Sequence, residues 1–161
     1  MGTDVTLDTS GPDGPVLHVA RRYPHPPTRV WAALTTGAEL SRWFPCRVEI
    51  DARPGGSLTL DFGDGAPETA PITEFDPPRV LAFTWSGEHL RWTLAEDGDG
   101  CLLRLSNTVL DPDWTAHTAA GWDRCLADLA ATLAGRTAPP GGGPDEALIA
   151  HYRRVLPPAR R

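Results

Sequence analysis

The chain has 161 residues, 40% of them hydrophobic and 22% charged, with a net charge of −6. That length suits one domain able to bury roughly 70% of its unfolded surface without disulfides or metals. A surface of that sign repels phosphate backbones and disfavours anionic lipid, so neither nucleic acid nor membrane is expected as a partner.

Residues 1–14 are polar and broken by Gly and Pro, and they read as a flexible tail ahead of a domain at residues 15–136. The tail has neither the basic start nor the apolar run of a signal peptide. No later segment is apolar enough to span a membrane. Gly2 and Thr6 fit a myristoylation pattern, but no second lipid signal accompanies them, so the match is read as chance. Three cysteines, Cys46, Cys101 and Cys125, are odd in number and lack CxxC spacing. They argue against a disulfide framework and a zinc site, and a cytoplasmic location is expected.

Val16 to Tyr23 is rich in β-type residues and reads as the first strand. Pro26 and Pro27 then open a short helix. Thr36 and Glu39 have the spacing of a capping box that opens a second one. These helices carry Trp31, Leu34, Leu40 and Trp43, with Phe44 following, more apolar surface than two short surface helices need. They are expected to close one end of a cavity, with Trp31, Trp43 and Phe44 facing inward.

Short strands follow at Arg47–Asp51, Ser57–Phe62, Thr69–Phe75, Val80–Trp85, His89–Leu94 and Cys101–Leu110, with turn residues between them. Leu58, Leu60 and Phe62 alternate with polar residues, the pattern of a strand with one dry face. Consecutive hairpins of this kind build an antiparallel meander. Asp111-Pro112 starts a long helix that runs to about Leu133, with Gly135 placed to end it. Its apolar stripe passes through Thr118, Trp122, Leu126, Leu129 and Leu133. A Pro/Gly linker at residues 137–144 leads to a short helix and tail at residues 145–161. That last helix could dock on the domain, pair with another subunit or stay loose.

A single sheet needs its apolar face covered, and one long helix can lie along it. The expected fold is α+β, a curved antiparallel sheet of about seven strands around the long helix, with two short helices after the first strand. Five segments stand out in order along the chain: Pro26 to Thr35, the Trp43-Phe44 pair, Gly55-Gly56 before Leu58, Phe75 to Trp85, and Gly121-Trp122. In this order and spacing they resemble the START-like, or helix-grip, superfamily (SRPBCC), and within it the branch named for the activator of heat-shock protein 90 ATPase. The resemblance implies the helix-grip fold with a cavity between sheet and helix. The superfamily includes binding proteins, cyclases, hydrolases and chaperone cofactors, so the fold does not set the activity.

Motifs for chemistry are sparse. His18, His25, His89, His117 and His151 have no metal-ligand spacing, and there is no GxSxG elbow. No metal or cofactor is expected. Asp97 to Gly100 reads as a hairpin turn rather than a calcium loop. The six tryptophans either fill the core or line a pocket for a flat hydrophobic ligand. The expected lining is Trp31, Trp43, Phe44, Leu60, Phe83, Trp85, Trp92, Trp122 and Leu126, with Glu74, His89, Arg91 and Asn107 as candidate polar groups. The resulting expectation is non-covalent binding of a small hydrophobic molecule, lipid-like or polyketide-like, by a monomer or homodimer. One alternative is a polyketide-type aromatase or cyclase, using His89 or Glu74, or a self-resistance protein that sequesters a toxic natural product. A further alternative is a chaperone-ATPase activator, which predicts a large exposed apolar patch.

Overall fold

The computed structural model describes residues 2–12, 14–136 and 145–157. Two strands come first, β1 (Asp4–Asp8) and β2 (Val16–Tyr23), then helices α1 (Pro27–Thr35) and α2 (Gly37–Trp43). Strands β3 (Arg47–Ile50), β4 (Ser57–Asp61), β5 (Glu68–Asp76), β6 (Val80–Trp85), β7 (Glu88–Asp97) and β8 (Gly100–Thr108) follow. A turn of 3-10 helix at Pro112–Trp114 leads into α3 (Thr115–Leu133), and α4 (Glu146–Val155) comes last. The strands form one sheet in the order β1-β2-β8-β7-β6-β5-β4-β3, antiparallel throughout. A register shift between Ile72 and Glu74 marks an irregularity in β5 where the sheet bends. The architecture is the α+β helix-grip fold.

The sheet has eight strands rather than about seven, because part of the expected tail is β1. Its backbone pairs with β2, and Leu7 is buried opposite Leu17. With only Val5 and Leu7 apolar, so short an edge strand carries little periodic signal. The capping box does not form: Thr36 is the N-cap of α2 but makes no side-chain cap hydrogen bond. Glu39 instead accepts two bonds from Arg29, at 2.8 and 3.2 Å. This bidentate, charge-assisted pair is a stronger contact than the cap and ties α2 to α1.

Other sequence signals act as expected. Asp111 Oδ1 accepts from the Asp113 N–H, and α3 ends at Gly135, whose φ is 72°. There Gly135 N–H donates to Thr132 O and Arg136 N–H to Ala131 O, the paired bonds of a Schellman stop. Asp145 caps α4. That helix docks on α3, burying Ile149 and Tyr152, and the Tyr152 hydroxyl donates to Asp123 Oδ2 at 2.6 Å. The expected linker at residues 137–144 lies outside the described residues.

The inward sets Leu58 and Leu60, Leu81 and Phe83, Leu90 and Trp92, and Leu103 and Leu105 meet Ala119, Leu126 and Leu129 of α3. Indole rings fill the middle of this layer. Trp92 is T-shaped against Trp43 at 5.6 Å and against Trp122 at 5.3 Å, and Phe44 packs on all three. Trp43 Nε1 donates to Ala33 O, whereas Trp92 Nε1 has no hydrogen-bond partner among these aromatic faces. Tyr23, also buried, donates its hydroxyl to Leu126 O at 2.8 Å. Removing that hydroxyl in Tyr23→Phe is expected to cost about 1 kcal/mol. Truncating Trp92→Ala is expected to cost about 3–5 kcal/mol, since it empties the centre of the core. Urea unfolding measures both, and equal losses would contradict the central place given to Trp92.

Candidate functional site

The sheet's pleat decides which side chains can reach the helix side. In β7 the set Leu90, Trp92 and Leu94 is buried, so Glu88 shares their face, while His89 and Arg91 point the other way. In β8, Cys101, Leu103, Leu105 and Asn107 share the inner face. Trp85 extends the Leu81–Phe83 set, and Glu68 the set of Ala70 and Ile72. Pairing of Trp85 with Glu88 and of Leu90 with Asn107 brings these terminal members to one end of the sheet.

At that end the helix and sheet leave a cleft of about 370 Å³. Phe62, Trp85, Trp114 and Trp122 supply its aromatic wall, with Pro45, Gly121 and Cys125 beside them. Its polar members are Ser86, Glu88, Asn107, His117 and Thr118. Phe62 stacks on Trp85 at 6.0 Å, and Trp114 lies flat on His117 at 3.9 Å. His117 Nδ1 is buried without a hydrogen-bond partner. Phe62, Leu110 and Trp114 are 49%, 63% and 58% exposed, three of the four exposed large hydrophobics among the described residues. Phe62 and Trp114 line the cleft, while Leu110 sits beside it, touching Gly87 and donating its N–H to Glu88.

Two sets of hydrogen bonds hold the cleft's floor, one around Asn107 and one around Glu68. Asn107 is buried; its Oδ1 accepts from Trp122 Nε1 at 2.9 Å. Its Nδ2 donates to Glu88 Oε1 and to Thr108 O. Glu68 Oε2 accepts from Trp85 Nε1 at 3.0 Å and from the Ser86 hydroxyl at 2.6 Å. Ser86 has a φ of 51°, rare for a residue with a side chain, and it heads the tight turn between β6 and β7.

The sequence expectations divide accordingly. Trp85, Trp122 and Asn107 line the cleft. Trp43, Phe44, Leu60, Phe83, Trp92 and Leu126 are buried in the packed interior, where a cavity was expected. Trp31 is half-buried against Phe75. Of the stretch around the two short helices, only Pro45 reaches the cleft. Glu74, His89 and Arg91 lie on the opposite face, which corrects their reading as cavity groups. Arg91 makes a bidentate pair with Glu74 and holds that carboxyl below its ordinary range. His89 meets Thr73. Alternation with Leu90 and Trp92 dictates this outward placement. Glu88, one residue before the strand as read from sequence, carries the inward signal. Trp114 and His117, which the sequence offers only among its six tryptophans and five histidines, also line the cleft.

A larger hollow of about 510 Å³ lies on that outer face, lined by groups such as Asp4, His18, Arg91 and Arg104. It is the trough of the twisted sheet between polar side chains, with no Phe, Tyr or Trp in its lining. Among the described residues no cluster of His, Cys, Asp or Glu is arranged to hold a metal, and no helix is long and apolar enough to cross a membrane.

The thiols are buried and free. Burial pushes Cys125, at the cleft, up to about 12, and Cys46 and Cys101 up to about 11. The folded chain thus holds these protons more tightly than the unfolded chain, whose thiols keep the ordinary value of 9.0. Their contribution to stability is complete below that value and is lost as pH rises through the folded values. The melting temperature is therefore expected to fall above about pH 9, and Cys125→Ala should remove part of that fall. A fall of undiminished size in Cys125→Ala would contradict the role of its burial.

The family model described as Activator of Hsp90 ATPase homolog 1-like protein matches residues 24–134. No curated protein matches the chain. Among solved structures, CalU16 from Micromonospora echinospora is 26% identical over 83% of this chain and 87% of its own, with a TM-score of 0.67. DynU16, a protein of the dynemicin biosynthetic locus, is 25% identical over 76% of this chain and 48% of its own, also at a TM-score of 0.67. A protein of unknown function from Enterococcus faecalis, EF2215, shares the fold at a TM-score of 0.73 and 22% identity, over 94% of this chain and 88% of its own.

Proposed function

Because this chain belongs to the family of Activator of Hsp90 ATPase homolog 1-like proteins, we propose that it uses the helix-grip fold to bind a small, flat, hydrophobic molecule. The ligand sits in the cleft between the β6–β7 end of the sheet and the start of α3. One observation carries the reading: exposed Phe62 and Trp114 join Trp85 and Trp122 around a single concave site, with exposed Leu110 beside it. Apolar rings left in water around a cleft gain by covering a ligand, and indole faces favour a planar one. The polar floor at Asn107 and Glu88 gives orientation.

The cyclase reading relied on His89 or Glu74, and both project from the other face of the sheet. Binding is the better-supported function. Within it, a natural product is the first ligand class to test, because DynU16 belongs to a biosynthetic locus. Sequestration by a self-resistance protein would need no more than this cleft.

Titrating a neutral polycyclic aromatic compound should change tryptophan emission with saturation at one equivalent. Trp114→Ala removes one wall from an exposed position, and it should weaken binding by about 1 kcal/mol, several-fold, with little change in stability. Absence of saturable binding across a set of planar lipophilic compounds would overturn the proposal.

A further inference from the structure

The hydrogen-bonding groups of this cleft are unequal in kind. Most of its donors are already engaged. Both Asn107 Nδ2 hydrogens go to Glu88 and Thr108 O, and Trp122 Nε1 goes to Asn107. Trp85 Nε1 and the Ser86 hydroxyl both serve Glu68, and the Thr118 hydroxyl serves Trp114 O. The acceptors are less occupied. Each Glu88 oxygen takes one bond, from Asn107 or from the Leu110 N–H, although a carboxylate oxygen can take two. Glu68 receives both of its bonds on Oε2.

Charge points the same way. Among the described residues, no arginine lines the cleft. The ion pairs of Arg22, Arg29, Arg53, Arg79 and Arg91 engage Asp97, Glu39, Asp51, Asp76 and Glu74, and neither Glu68 nor Glu88. Glu88 thus shares the cleft with three indole rings and with no arginine of the described residues.

From this we propose that the cleft selects an organic cation, a flat aromatic molecule carrying a protonated amine. The proposal rests on the reading of the cleft as a binding site for planar apolar molecules. The rings lie against Trp85, Trp114 and Trp122, and the ammonium meets Glu88, with Glu68 adding negative charge at the rim. An ammonium brings donors only, which suits the Glu88 oxygens, each of which has room for a second bond. Indole faces attract cations as well as apolar rings. An anionic ligand would meet Glu88 with no arginine to offset it.

Calorimetric titration with naphthylmethylamine, naphthylmethanol and naphthoate separates charge from shape. At about pH 8 and at low salt, the amine should bind about tenfold more tightly than the alcohol. The carboxylate should bind most weakly. In Glu88→Gln the ratio of amine to alcohol affinity should fall towards one, and Glu68→Gln should lower it less. Added salt should weaken the amine alone. If Glu88→Gln does not fold by circular dichroism, Glu68→Gln and the salt series decide. Equal binding of amine and alcohol, or tightest binding of naphthoate, overturns the cation proposal and leaves the cleft reading standing. Failure of all three compounds to bind overturns both.

Discussion

Trp92 sits where β7 faces α3, with Trp43 on one side and Trp122 on the other. Protein interiors pack densely, so the thickness of this indole layer sets how closely the helix can approach the sheet. The middle of the grip is therefore solid. A cleft opens where the inward-facing rows run out, at the end marked by Trp85, Glu88 and Asn107. The location of the cleft follows from the filling of the core, as do the roles of the tryptophans. Trp43 and Trp92 fill the middle, Trp85 and Trp114 line the cleft, and Trp122 belongs to both.

Much of this could be read from residue order. The strand–two helices–strands–long helix sequence, the alternation at Leu58, Leu60 and Phe62, and the Gly135 stop all have local causes. Three features were hidden for physical reasons. The strand at Asp4–Asp8 draws its stability from backbone pairing with a neighbour that sequence does not display. Thr36 and Glu39 have the spacing of a cap, but a nearby arginine offers Glu39 a better partner. The direction of the candidate polar groups depends on the pleat: Leu90 and Trp92 inward put His89 and Arg91 outward, the face that alternation already favours for Arg91 in the sequence. Starting β7 one residue late concealed Glu88. The lining tryptophans of the middle strands were legible as apolar, but whether an apolar residue faces a void or another side chain depends on packing across the whole layer.

The polar floor shows how a fold can present charge without mobility. Asn107 is fixed by three bonds and in turn holds both the Trp122 indole and the Glu88 carboxylate. Glu68 does the same for Trp85 and for the turn residue Ser86, whose positive φ is held by the surrounding contacts. Side chains lining the cleft are thus secured by side chains behind them, which would lower the ordering cost of any binding there.

The near-perpendicular rings of Trp43, Trp92 and Trp122 have an optical consequence. Indoles in contact at such angles couple their electronic transitions, and a fixed chiral arrangement of them gives a strong near-ultraviolet circular dichroism signal. Trp114 stands apart from that trio, out in solvent at the mouth. The chain therefore carries a spectroscopic reporter of the interior in the Trp43–Trp92 pair and another at the mouth of the cleft in Trp114, with Trp122 joining the two.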